Sequence, residues 1–302
     1  MATLTPNATE IKAVAAAITP AQLAQAITPA HIAAIGDYVI SKLAPVVPPV
    51  VIPPIIAPAP LWAADFTISP LSGGAFTLQA RDPSRAVIVP TRNGRMGPQL
   101  TTLPGDNSIF GSGEMERCDL MLSQDLTDGY EGHEAWWAWS ILFPDSFQAP
   151  LWHRYVVFDF HNTTPGPGQA PFMVNFRKRG DTDPGILQFE GYGGDVNSAG
   201  YYAADIGTEA VPVQKNVYYD FLGHVRWSSG ADGFFDAWVN GVRKLSHQGP
   251  TLYAGQGVYL KASNYHTPVC DPYPACIGTH SASSVIHDRI MRGATRESVE
   301  LR

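Results

Sequence analysis

From Leu61 onward the sequence runs in short alternations of apolar and polar residues, broken by clusters of Gly, Pro, Asp and Asn. No helical period appears between them. Ala86 to Val89, Glu116 to Leu122, Ala135 to Phe143, Tyr155 to Phe160, Phe172 to Arg179, Tyr218 to Trp227, Gly233 to Val239, Gly257 to Lys261 and Val285 to Met291 each read as a strand. Parallel sheets need a long crossover between successive strands, usually a helix, and no segment here supplies one. The pattern therefore predicts an all-β fold, an antiparallel two-sheet sandwich of the jelly-roll kind. Val239-Asn240-Gly241-Val242 carries the Asn-Gly chemistry of a tight hairpin. The glycines at 191, 193 and 194 read as a loop.

Composition narrows the function classes. Of 302 residues, 45% are hydrophobic and 16% charged, enough apolar material for a large core and too little charge for disorder throughout. The net charge of −7 argues against a nucleic-acid partner, since phosphate contacts need a basic footprint. It leaves room for a locally basic groove. Three cysteines do not make a disulfide scaffold. Cys118 reads as buried, while Cys270 and Cys276 either bridge locally or stay free. No zinc-type spacing, Gly-x-Ser-x-Gly elbow, Walker loop or dinucleotide glycine pattern occurs. Asp181-x-Asp183 is too thin a pattern to place a calcium ion and reads as a turn.

Residues 1–60 differ from the rest. They hold four charged side chains (Glu10, Lys12, Asp37, Lys42) and neither Trp nor Phe. Thr5-Pro6, Thr19-Pro20 and Thr28-Pro29 each suit a helix start, with Thr as N-cap and Pro at the first helical position. Residues 1–43 are accordingly expected to form a short-helix arm, which wants a partner surface. Residues 44–60 (APVVPPVVIPPIIAPAP) favour an extended polyproline rod, and residues 61–302 form the sandwich domain. The prolines also exclude a membrane span in this stretch. No basic n-region with an uninterrupted apolar core marks a secretory signal.

Four segments of the body resemble the β-jelly-roll polysaccharide lyases of the glucuronan lyase and heparin lyase I type. They are Glu116-Arg117-Cys118-Asp119-Leu120, Phe158-Asp159-Phe160-His161, the hairpin WSSGADGFFDAWVNGV from Trp227 to Val242, and Tyr259-Leu260-Lys261-Ala262-Ser263-Asn264-Tyr265. The hairpin recurs among sandwich lectins and speaks for the fold. The Tyr-x-Lys-x-x-x-Tyr run, together with an upstream His flanked by aromatics, points to the lyases. The resemblance implies cleavage of a uronic-acid-containing glycan by β-elimination, without a redox cofactor.

Such a reaction removes a weakly acidic proton at C5, beside a carboxylate whose charge must first be neutralised. A base must reach C5 and an acid must protonate the leaving O4. By the resemblance, His161 is the base or carboxylate partner, Tyr265 the general acid or acid/base, and Arg117 the bidentate clamp on the carboxylate. Lys261 stabilises charge or draws the phenol pKa of Tyr265 down. Tyr259, Lys261, Ser263 and Tyr265 would share one face if the strand stays extended past Lys261. Tyr259, Asn175, Arg177, Arg179 and Asp159 are expected to contact substrate, the alternating Asn175, Arg177 and Arg179 forming a basic stripe. The family's Gln-x-His is Asp159-x-His161 here, and its Lys-x-Gly-x-Tyr-Arg is Lys261-Ala-Ser-Asn-Tyr265-His266.

Two other readings compete. One is a non-catalytic glycan-binding or structural virion appendage. In it residues 1–60 drive a homo-oligomer or larger assembly at a bacteriophage surface. Both roles combine in a virion-associated depolymerase, acting outside the cell. The other is a sandwich glycosidase using Glu114 and Glu116 as paired carboxylates, or Glu131 and Glu134.

Overall fold

The computed structural model describes residues 58–106, 115–148, 154–163, 169–177, 186–206, 213–266 and 281–300. The arm, most of the proline-rich linker, Glu114, Arg179, Asp181, Asp183, Cys270 and Cys276 lie outside the described residues.

Fifteen strands are described: β1 (Trp62–Ala63), β2 (Phe76–Ala80), β3 (Ala86–Pro90), β4 (Met96–Thr102), β5 (Glu116–Leu122), β6 (Glu134–Leu142), β7 (Arg154–Asn162), β8 (Phe172–Arg177), β9 (Ile186–Gly193), β10 (Gly200–Asp205), β11 (Tyr218–Arg226), β12 (Phe234–Val239), β13 (Val242–Gln248), β14 (Val258–His266) and β15 (Ser283–Gly293). The α-helices among the described residues are single turns, α1 (Gln124–Thr127) and α2 (Arg296–Val299). All strand pairs are antiparallel. They build an eight-stranded sheet, β13-β12-β11-β6-β15-β4-β3 with β1 on β15, and a seven-stranded sheet, β10-β9-β8-β7-β14-β5-β2. This is the expected two-sheet sandwich.

Alternation decides what each strand buries. From the seven-stranded sheet, Cys118, Leu120, Leu260, Ala262, Phe158, Phe160, Phe172, Val174 and Phe189 face inward. From the other sheet come Trp137, Trp139, Ile141, Phe221, Val225 and Phe235. The two sets interlock through stacked rings, Trp139 on Phe158 at 4.2 Å and Phe172 on Phe235 at 4.0 Å. A buried polar seam accompanies them. The Tyr155 hydroxyl donates to Asn264 Oδ1 at 2.5 Å, and Asn264 Nδ2 donates to the carbonyls of Leu100 and Ser283. Glu116 is also on this inward side and fully buried, accepting from the Gly105 amide. It cannot meet a glycan there, so the paired-carboxylate reading fails at Glu116.

Two local features position the site. The Asn240-Gly241 turn has φ of 49° and 79°, the doubly positive geometry expected of the Asn-Gly hairpin. β7 carries a bulge at Val157: against β8, Val156 pairs with Asn175 and Phe158 with Val174. Val157 therefore lies between the two paired positions, and β14 also slips against β7 between Ala262 and Tyr265. Tyr155 and Val157 face the core before the bulge, Phe158 and Phe160 after it.

The glycine cluster is not simply a loop. Gly191 and Gly193 lie within β9, and a side chain on Gly191 would strike the Tyr202 ring. Glycine is needed there for close approach rather than for a turn.

Candidate active site

Three neighbouring strands of the seven-stranded sheet carry the residues that the sequence singles out. β14 lies between β7 and β5, and its register fixes who meets whom. Tyr259 pairs with His161, Lys261 with Asp159, Ser263 with Asp119, and Tyr265 with Arg117. These side chains alternate with the core-facing Leu260, Ala262 and Asn264, so they stand on the sheet's outer face.

The face has two half-exposed ends and a buried middle. At one end the Arg117 guanidinium carbon lies 4.5 Å from the centroid of the Tyr265 ring, a cation–π contact. At the other, the His161 imidazole stacks on Tyr259 with 5.2 Å between centroids. His161 Nδ1 is 3.0 Å from the Asn162 carbonyl oxygen. A carbonyl only accepts, so Nδ1 is the donor of this contact, and in the neutral imidazole the lone pair lies on Nε2.

Between the ends, Lys261 is 5% exposed and its Nζ lies 3.0 Å from Asp119 Oδ2. Burial works against the ammonium, but Asp119 and Asp159 outweigh it and hold its pKa above the ordinary lysine value. Asp159 is buried as well, with Ser263 Oγ donating to its Oδ1 at 3.1 Å. Burial pushes the Asp159 carboxyl above the usual carboxylate range, with Lys261 and His161 pulling the other way.

Sequence reasoning expected cations to draw the Tyr265 phenol down. The net direction is opposite: burial pushes it up, and the pull of Arg117 does not compensate. Tyr259 is likewise raised by burial. Both hydroxyls thus keep their protons at neutral pH, which suits a proton donor and not a phenolate base.

Asn175 and Arg177 continue the face onto β8. Asn175 is fully buried, with Nδ2 donating to Glu190 Oε2 at 2.5 Å. Arg177 is exposed and donates to Gln188 at 2.9 Å. The basic stripe is therefore interleaved with carboxylate and amide partners over its described part.

Asp119, Ser263, Glu190 and Tyr192 belong to the same layer and were given no role by the sequence. Tyr192 donates to Glu190 Oε1 at 2.6 Å and its ring lies 5.1 Å from that of Tyr201. The signal was available in register: Met173, beside Asn175, pairs with Glu190, and Ser263 pairs with Asp119. That register is invisible without the strand pairing.

Among the described residues, no group of three or more His, Cys, Asp or Glu side chains is disposed to hold a metal ion.

Comparisons with known proteins agree with this architecture. An endo-β-1,4-glucuronan lyase from the fungus Trichoderma reesei superposes with a TM-score of 0.58 at 14% identity, over 80% of this chain and 98% of that one. Alginate lyase Aly36B superposes with a TM-score of 0.51 at 14% identity, over 78% and 98%. At such identity the likeness speaks for the fold. No curated protein matches the sequence. A family model described as "Polysaccharide lyase" matches residues 70–291, taking in both sheets and all three site strands. The chain belongs to the polysaccharide lyase family, whose members are carbon–oxygen lyases.

Proposed function

We propose that the protein cleaves a uronic-acid-containing polysaccharide by β-elimination on the outer face of β5, β14 and β7. The observation that carries this reading is the contact between Arg117 and Tyr265, which sets a guanidinium fork beside a protonated phenol. Arg117 pairs with the uronate carboxylate and so allows negative charge to build at C5. His161 Nε2 takes the C5 proton, the C4–O4 bond breaks as C4=C5 forms, and the Tyr265 hydroxyl protonates the departing O4. Lys261, held by Asp119, supplies fixed positive charge beneath the sugar without itself reaching it.

Tyr259, opposite His161, lies six residues from Tyr265, about 20 Å along a straight strand. The imidazole and the Tyr265 phenol must therefore lean together over Lys261 and Ser263 to serve one linkage. The stacking of His161 on Tyr259 favours a second assignment, in which Tyr259 is the acid and Arg117 with Tyr265 forms the adjoining subsite. Ultraviolet absorbance of the unsaturated product from polyglucuronate and alginate separates the two. Tyr265→Phe abolishes turnover under the first assignment, and Tyr259→Phe does so under the second. Wild-type protein that forms no unsaturated product from any polyuronate or acidic exopolysaccharide would rule out both.

The composition of residues 1–60 supports a further part of this reading, an assembly role that fixes the enzyme in a larger particle such as a virion and displays it outside the cell. The linker's prolines would act as a stiff spacer. Deleting residues 1–60 tests it: the wild-type chain should sediment as an oligomer and the truncated one as a monomer that still cuts. Self-assembly retained after the deletion would refute it.

A further inference from the structure

The opposite sheet has an aromatic surface that elimination does not use. Trp137 and Trp139 on β6, Phe221 on β11, and Phe235 and Ala237 on β12 face the core. Alternation then turns Trp136, Leu222, His224 and Trp238 to the outside, where all four are half-exposed. Trp136 stacks on His224 at 4.1 Å with 9° between planes, and lies 5.6 Å from Trp238 at 26°. Arg296 of α2 sits with its guanidinium carbon 5.6 Å from the Trp238 centroid, and its Nε is 3.6 Å from Glu300.

Beside these rings is a cleft of about 520 Å³ lined by Tyr218, Asp220, Leu222, Trp238, Asn240 and Arg296. Its size falls within the usual range of small-ligand sites, roughly 300–1,000 Å³. Its chemistry is divided. Leu222 and Trp238 supply apolar surface, while two carboxylates (Asp220 and Glu300), an amide, a phenol and a guanidinium supply polar edges. Asp220 is fixed: Arg92 pairs with it and Ser140 Oγ donates to it at 2.6 Å. Asn240 Oδ1 accepts from the Asp220 amide at 2.8 Å, which commits the oxygen and leaves its NH₂ as a donor. A pyranose has the complementary division, with a C–H face that suits the negative face of an aromatic ring and a rim of hydroxyls. An oily peptide would leave the fixed carboxylate and the amide without partners.

We propose that this cleft is a second, non-catalytic glycan-binding site, in which a pyranose unit of a polysaccharide stacks against Trp238 and is hydrogen-bonded by Asp220, Asn240 and Arg296. It lies on the sheet opposite the candidate active site, so one sandwich can hold a polysaccharide on one side while it acts on the other. The site goes beyond the elimination reading and does not require it.

Affinity electrophoresis of the full chain tests this, in gels containing polyglucuronate, alginate or neutral hydroxyethylcellulose. The double variant Tyr259→Phe/Tyr265→Phe serves as the parent so that the gel polymer is cut under neither assignment, and Trp238→Ala and Trp238→Phe are added to it. At least one polymer should retard the parent, and Trp238→Ala should raise the apparent Kd roughly fivefold or more, as expected for a lost stacking contact. Trp238→Phe, which keeps a ring and guards against misfolding, should lie between. In otherwise wild-type protein, Trp238→Ala should leave turnover of short oligosaccharides unchanged. The neutral gel distinguishes a general pyranose site from one selective for uronates. Equal retardation of parent and both Trp238 variants, or a parent that no polymer retards, overturns the proposal. Failure of the elimination reading would show as absence of unsaturated product, without altering these mobilities.

Discussion

Arg117 and Tyr265 occupy directly paired positions on β5 and β14, and the guanidinium of the first lies over the ring of the second. Removing the hydroxyl leaves that contact in place, so Tyr265→Phe isolates the proton-donor role. We expect kcat to fall at least ~100-fold, the usual worth of a general acid, with an unchanged far-ultraviolet circular dichroism spectrum. Arg117→Lys keeps the charge and loses the planar fork. Its loss should appear in kcat/KM on polyuronates, followed by product absorbance.

Lys261 and Asp119 form a buried ion pair. Lys261→Met leaves Asp119 buried without its ammonium and should cost about 3–5 kcal/mol in urea unfolding. The double variant Lys261→Met/Asp119→Leu should recover most of that stability. If it also recovers activity, Lys261 acts through the fold and not through charge at the site.

Asp159 gives a pH signature. Burial raises its folded pKa above the unfolded value. The folded state therefore holds a proton that the unfolded chain has released, and stability declines as pH rises through that window. Asp159→Asn keeps an acceptor for Ser263 and removes the buried charge. The variant should unfold at higher urea concentration than wild type at pH 7, with the difference shrinking toward pH 4.

His287 has the reverse dependence. It is fully buried, its Nε2 donates to the Ser263 carbonyl at 3.2 Å, and burial lowers its pKa to about 4. The unfolded chain takes up a proton near pH 6.5, which the folded one refuses until about 4. Stability from this group is thus complete above pH 6.5 and lost as pH falls, by about 3 kcal/mol at the lower limit. His287→Gln should flatten urea midpoints measured between pH 7 and pH 4.5.

How far the sequence could be read depended on what each strand faces. β5 was legible to its ends, since Cys118, Leu120 and Leu122 alternate with groove residues. The Trp136, Trp137 and Trp139 group follows the same alternation, two rings in the core and one outside. β14 was read only as far as Lys261, yet it continues to His266. Beyond Ala262 both of its faces carry polar groups: Ser263 serves the groove, while Asn264 and His266 serve the seam around Tyr155. Alternation of polarity, the signal used, is absent there. The same polarity hid the ion pair, because Lys261 and Asp119 lie 142 positions apart and meet only through sheet register. Gly191 and Gly193 misled for another reason: in a strand they mark crowding, which no local pattern records.

Val157 carries no polar atom, yet it decides where the imidazole goes. In a strictly pleated ribbon Tyr155, Val157, Asp159 and His161 would all look the same way, and His161 would share the side of a phenol anchored to Asn264. The bulge lets the ribbon change step once, so the anchoring half and the reacting half of β7 follow opposite phases. Loss of one residue at this step would leave both halves facing their own sides. The same loss at Phe160 would turn the imidazole end over, carrying His161 into the aromatic interior. The reach of this chain's chemistry is thus set by a count of backbone units as much as by the side chains that perform it.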